Sequence, residues 1–165
     1  MKRFDKKGQQ TMGMPFGIIF AIILIVVFVV IAFIAVGFFL DVGRSSGVGM
    51  FYREFQDAVN DATRGQFGES SFEIDLPSEI KRVCFADLSA EITNPGVDYD
   101  AIRNYDVYDA NVFLVPPEKA QNMQWKLIEG INVSRTTEGS NPYCVDADGD
   151  FVIKKGFYDK LVWIS

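Results

Sequence analysis

The 165-residue sequence contains no histidine and only two cysteines. Without histidine the chain cannot build a Ser-His-Asp or Cys-His catalytic site, a histidine-ligated zinc site or a histidine pH switch. Two cysteines are too few for a four-cysteine zinc site or a cysteine-ligated iron–sulfur cluster. No motif points to catalysis either, and we expect a protein that is not an enzyme and that carries no cofactor apart from the candidate calcium ion considered below.

Charge is missing from one long stretch, because no Asp, Glu, Lys or Arg lies between Gly8 and Leu40. Residues 14–40 form a run of 27 residues, rich in Ile, Val and Phe, that has no polar face. About 20 apolar residues cross the hydrocarbon layer of a membrane as a helix. A small soluble domain cannot surround such a helix on every side. The run therefore predicts a transmembrane helix over residues 14–40.

The charges on either side of this run differ in sign. Four bases precede it, whereas residues 41–165 hold 21 acids and 12 bases, a net charge of −9. Lys and Arg remain on the cytoplasmic side of a span. We expect residues 1–13 to be a cytoplasmic basic tail in the cell membrane and the rest of the chain to be extracytoplasmic. The acidic outer part argues against a nucleic-acid partner, which selects basic surfaces.

The apolar run also has two alternative fates. The small residues Ala35 and Gly37 suit a signal peptidase, but the apolar region of a cleaved signal has about 7 to 15 residues. The start of the chain, Lys6-Lys7-Gly8-Gln9-Gln10 followed by a long apolar helix, resembles the leader of archaeal type IV pilin-like proteins. That resemblance covers residues 6–40 and implies cleavage between Gly8 and Gln9, with the apolar helix in a filament core.

The chain as a whole is similar to a loose set of short archaeal single-pass membrane proteins. The likeness is carried by the KKGQ start, by a span that ends in Asp, and by the outer segment LPSEIKRVCFADLS. It implies a location and no activity.

Small residues recur every four positions at the start of the span, at Gly13, Gly17 and Ala21. Such spacing allows two helix backbones to pack closely in lipid. Chance spacing in a glycine-rich entry is the alternative. We expect the lipid bilayer as a partner of the span and, if the motif is used, another membrane protein or a second copy of this chain.

After the span we expect a linker and an amphipathic helix within residues 41–65. Gly43-Arg44-Ser45-Ser46-Gly47 has the composition of a flexible stretch. Beyond it, apolar residues recur at steps of three and four, which is typical of one face of a helix. The residues of this face are Val48, Phe51, Phe55, Val59 and Ala62.

The sequence of residues 66–165 predicts an extracytoplasmic domain of short strands and turns. Alternation and turn residues predict strands at 71–76, 80–88, 111–115, 131–135 and 161–164, with a short helix at 118–128. Residues 143–145 and 151–154 flank an Asp-Gly turn and predict a hairpin. The fold class is α+β: one N-terminal transmembrane helix, a following amphipathic helix and a small, mostly antiparallel sheet domain.

Cys84 and Cys144 are disulfide candidates, because an outer domain meets an oxidising environment. A bridge would close a loop of about 60 residues and stabilise the fold by roughly 4 kcal/mol on the chain-entropy model. The alternatives are two buried free thiols or a reactive thiol.

Three carboxylates at alternate positions, Asp146, Asp148 and Asp150, follow the spacing with which calcium loops begin. Gly149 and Phe157 do not fit the rest of the calcium-loop pattern, so a solvated Asp-Gly turn is the alternative. Asn132-Val133-Ser134 is a glycosylation sequon, although it falls on a predicted strand.

Together these features favour a non-enzymatic, single-pass membrane-anchored protein with an extracytoplasmic interaction or structural domain. One alternative is an archaeal type IV pilin-like filament subunit cleaved after Gly8. A weaker alternative is a membrane-anchored ecto-enzyme.

Overall fold

A computed structural model describes residues 13–65 and 68–165, except for the side chains of residues 13–15, 41 and 44. The chain divides into two units, Met1–Val42 and Gly43–Ser165. The fold is α+β, and the predicted fold class is confirmed.

Helix α1 spans Gly13–Arg64, and its residues up to Val42 are the described part of the first unit. Apart from Ala35, every side chain from Phe16 to Leu40 is exposed. This part of α1 is long and apolar enough to cross a membrane.

Residues 43–47 are helical, so the prediction of a flexible stretch there is wrong. A Cβ atom at Gly47 would lie only 3.3 Å from Cγ of Pro77. Glycine thus allows the helix to approach the Pro77 segment closely, and this packing outweighs the low helix propensity of glycine.

The later turns of α1 bury one apolar face. Val48, Phe51, Phe55 and Val59 are almost fully buried, and Ala62 packs against the same cluster. The helix ends at Arg64, where the Lys155 ammonium group donates hydrogen bonds to the carbonyl oxygens of Thr63 and Gly65. A cation at this end satisfies carbonyl groups that the helix leaves unpaired.

Among the described residues, seven strands form two sheets, and their strand pairs are all antiparallel. The three-stranded sheet has the order β1-β6-β7 and the four-stranded sheet has the order β4-β3-β2-β5. The strands are β1 Gly68–Glu73, β2 Arg82–Phe85, β3 Val112–Val115, β4 Trp125–Lys126, β5 Tyr143–Asp146, β6 Asp150–Lys155 and β7 Trp163–Ile164.

Short helical segments connect the strands. Helix α2 spans Val97–Ile102 and is followed by a 3-10 turn at Arg103–Tyr105. A second 3-10 turn covers Pro117–Lys119, and helix α3 covers Val133–Thr136.

Phe55 lies at the centre of the main core. Its ring centroid is 5.3 Å from that of Phe72, 5.9 Å from that of Phe85 and 5.0 Å from that of Phe151. Phe72 and Phe151 belong to the three-stranded sheet and Phe85 to the four-stranded one. Both sheets and α1 therefore share one apolar core.

A second, smaller core contains the buried residues Cys84 and Phe113 of the four-stranded sheet together with Ile102 of α2. Neighbouring residues of a strand point to opposite faces, so Val83 and Phe85 join the main core while Cys84 joins this one.

The predicted hairpin is wrong, because β5 pairs with β2 while β6 pairs with β1. The Asp-Gly turn itself forms, since the Gly149 N–H donates to the Asp146 carbonyl at 3.2 Å. Each flanking strand finds its partner elsewhere, and residues 146–150 connect the two sheets.

The strand predicted at 131–135 is also wrong, because residues 133–136 form α3. Asn132 caps this helix: its side-chain oxygen accepts a hydrogen bond from the Arg135 N–H at 3.1 Å. The predicted helix at 118–128 is reduced to a 3-10 turn and strand β4. Strand pairing replaces it, with Leu114 N–H donating to the Gln124 carbonyl at 2.9 Å.

Candidate functional site

Cys84 and Cys144 stand directly opposite each other on β2 and β5. Their sulfur atoms are 2.05 Å apart and form a disulfide. Cys84 is fully buried and Cys144 is half-buried. The bond crosslinks positions 60 residues apart in the sequence, so it restricts the unfolded chain over a long loop.

Arg82 lies beside the disulfide and contacts both Asp98 and the backbone of Cys144. Its Nη1 lies 2.9 Å from Oδ2 of Asp98, whose side chain is 17% exposed. Its Nη2 donates to the Cys144 carbonyl at 3.1 Å. The guanidinium group thus ties α2 to β2 and β5. Sequence reasoning missed this pair, since nothing local distinguishes Arg82 or Asp98 from other charged residues.

The Asp98 carboxylate and the two cysteine sulfurs lie within 4.8 Å of one another, which is the spacing of metal ligands. The sulfurs are bonded to each other, and a metal site needs free thiolates. In the oxidised protein this cluster is therefore structural.

The three predicted calcium ligands lie on the connection between the sheets, and the structure directs two of them to different partners. Asp146 Oδ1 lies 3.6 Å from Arg82 Nε, whereas Asp150 Oδ2 accepts a hydrogen bond from Ser71 Oγ at 2.6 Å. Asp148 is exposed. Within the described ranges the three carboxylates do not gather into one ligand set. Calcium binding stays a prediction.

Asp146 and Asp148 line a cleft of about 590 Å³. Lys81 and Arg82 line it as well, so it carries both signs of charge. The Lys81 ammonium group is held by the Ser78 carbonyl at 2.7 Å.

A second cleft of about 540 Å³ lies between α1 and the β4 segment. Tyr52 forms part of its wall and donates a hydrogen bond to the Met123 carbonyl at 3.2 Å. Burial raises the pKa of the Tyr52 phenol far above its usual value. The group is neutral across the physiological range and holds the 120–124 turn against the helix.

The glycosylation candidate Asn132 is half-buried at the start of α3. Its oxygen is used by the cap described above, so the side chain already has a structural role. Use of the sequon stays a prediction.

In the apolar unit, Gly17 and Ala21 are exposed on α1, and a Cβ atom at Gly17 would meet nothing within 4 Å. Gly13 is the first residue of the helix. Gly8 and Gln9, the predicted cleavage site, lie outside the described residues.

Comparison of the chain with protein-family models, with curated proteins and with solved structures found no match.

Proposed function

We propose that this chain is a non-enzymatic, single-pass membrane-anchored protein whose second unit is an extracytoplasmic interaction or structural domain. The observation that carries the proposal is the apolar part of α1. It holds no charged residue from Phe16 to Leu40, and its side chains are exposed. Exposed apolar surface of this extent is stable in lipid and not in water.

Two observations support an outer location for the second unit. Four basic residues lie in the short segment before the span, in agreement with the positive-inside rule. The Cys84–Cys144 disulfide is the kind of bond that persists in an oxidising compartment.

The non-enzymatic role is supported by the chemistry of the strongest cluster. Arg82 pairs with Asp98 and donates to the Cys144 carbonyl, and the two cysteine sulfurs are bonded to each other. Such mutual pairing stabilises a fold and leaves no activated nucleophile at this place.

The orientation is tested by adding protease to intact cells. We expect the C-terminal unit to be digested while a cytoplasmic marker survives. A second unit that is spared until the cells are lysed would contradict the proposal.

A pilin-like filament subunit is the second candidate, and the layout of α1 favours it. The helix starts with an apolar part and ends with an amphipathic part packed through Phe55 on antiparallel sheets. Mass spectrometry of the mature chain distinguishes the two: Gln9 as first residue supports the filament subunit, and a retained Met1 supports the anchor. A Gly8→Leu variant should keep the full-length mass in either case.

A further inference from the structure

Strand β1 has one open edge. It lies at the end of its sheet, and in the part of the chain that the structure describes only β6 pairs with it. It has six residues, with no proline and no lysine, and all but Phe72 are exposed. Proteins usually shorten, cover or interrupt such edges, because unpaired backbone groups accept another strand.

The register shows which backbone groups face outward. Val152 exchanges two hydrogen bonds of 3.0 Å with Ser165 and therefore turns its backbone groups away from β1. Ser71 stands directly opposite Val152. Antiparallel pairs alternate between bonded and non-bonded positions, so the N–H and C=O groups of Ser71 also point away from β6.

The same alternation applies two residues before and after Ser71. Glu69 and Glu73 present their backbone groups to the outer edge, together with those of Ser71. A strand added in antiparallel orientation would find a donor and an acceptor at each of these positions.

The side chains at this edge are acidic. Glu69, Ser71 and Glu73 share one face of the sheet, because side chains alternate along a strand. Asp150 is on that face too, accepting the hydrogen bond from Ser71. Lys154 Nζ, 3.6 Å from Glu69 Oε1, offsets part of this charge.

This charge pattern decides against a second copy of β1 as the occupant. Two β1 strands paired about Ser71 would put Glu69 of one copy opposite Glu73 of the other. Like charges directly opposite each other destabilise a strand pair. The same carboxylates favour a strand with basic side chains at alternate positions.

We propose that the outer edge of β1 binds an extended basic segment of another protein as an added antiparallel strand. Its backbone bonds to Glu69, Ser71 and Glu73, and its Lys or Arg side chains lie beside the two glutamates. In such strand addition, backbone bonds give affinity and side chains give specificity. This deepens the proposed interaction role and rests on it.

The test uses the full chain in detergent micelles and a capped, labelled seven-residue peptide that alternates Lys and Val. Two versions carry N-methyl groups, either on the Lys amides, which would face β1, or on the Val amides, which would face away. We expect the Lys-methylated peptide to bind at least tenfold more weakly than the parent, and the Val-methylated peptide to bind within about threefold of it.

Protein variants give the matching control. Ser71→Pro removes the outward N–H group without removing a bond to β6, as proline is tolerated at sheet edges. Ser71→Ala loses only the side-chain bond to Asp150. We expect a tenfold loss of binding for Ser71→Pro and less than a twofold change for Ser71→Ala.

Equal binding by both methylated peptides would show attraction by charge alone and would overturn the proposal, as would no binding of the parent peptide. If Ser71→Pro does not fold, the binding of the two methylated peptides to the native protein tests the proposal by itself. Failure here leaves protease digestion of intact cells unchanged, so it is distinguishable from failure of the proposed membrane anchoring.

Discussion

Phe39 and Phe55 are the same residue type in two regions of one helix, yet Phe39 is 72% exposed and Phe55 is fully buried. In the first unit apolar side chains face outward on all sides, and we propose that lipid surrounds them. In the second unit the same kind of side chain is covered by two sheets. Hydropathy alone therefore does not define a core, and the period of the apolar residues separates the two cases.

Phenylalanine-to-alanine changes in the two regions give the largest expected contrast. Phe55→Ala leaves a cavity among Phe72, Phe85 and Phe151, and we expect it to lower the free energy of unfolding of the second unit by about 3–5 kcal/mol. Phe39→Ala should leave that free energy unchanged. Denaturant titration in micelles, followed by tryptophan fluorescence, measures both. A similar loss in the two variants would contradict the contrast.

Removing the disulfide tests the difference between the two units, because the bond lies in the second unit alone. Cys84→Ser with Cys144→Ser should lower the free energy of unfolding by roughly 4 kcal/mol. Non-reducing electrophoresis of the native chain should also show a mobility change on reduction. Free thiols that react with an alkylating reagent in the native protein would contradict the bridge.

The sequence predicts both helical regions of that comparison well. The apolar run and the helical face from Val48 to Ala62 repeat strongly over many residues, and the structure places both in α1. Such patterns depend on the spacing of apolar residues along one segment, so a sequence predicts them without knowledge of the fold.

Pairing between distant segments cannot be predicted in this way. The turn at residues 146–150 has hairpin chemistry, but Cys144 finds Cys84 and Phe151 finds Phe72 across the chain. A local turn signal does not predict which distant strand each flanking strand will pair with. The Arg82–Asp98 pair has no sequence signal at all, and it depends on α2 folding back over β2.

Charged residues introduced into the apolar part of α1 test whether lipid surrounds it. Lysine at the centre of a span is unfavourable by about 3 kcal/mol on insertion scales, whereas each Ile, Val or Phe is favourable by only about 0.5 kcal/mol. We therefore expect three lysines together, at Val26, Val29 and Val30, to shift a large share of the chain out of the membrane fraction. The matched control places three lysines at exposed positions of the second unit, Val97, Val107 and Tyr158. Equal membrane fractions for both variants would argue against a lipid environment around Val29.

The smallest expected effect concerns the α3 cap. Asn132→Ala removes the side-chain acceptor for the Arg135 N–H, and we expect a loss of about 1 kcal/mol in the unfolding free energy of the second unit. Asn132→Asp keeps an acceptor and removes the sequon, so its stability should stay near that of the native protein. Equal losses in the two variants would show that the cap is not what stabilises this turn.

The most direct test of the central claim, that lipid solvates the exposed apolar part of α1, is extraction of the native full-length chain from membranes. We predict that it stays in the membrane pellet after an alkaline carbonate wash and is released by detergent alone. A chain that leaves the pellet in carbonate and stays monomeric in detergent-free buffer would contradict the account.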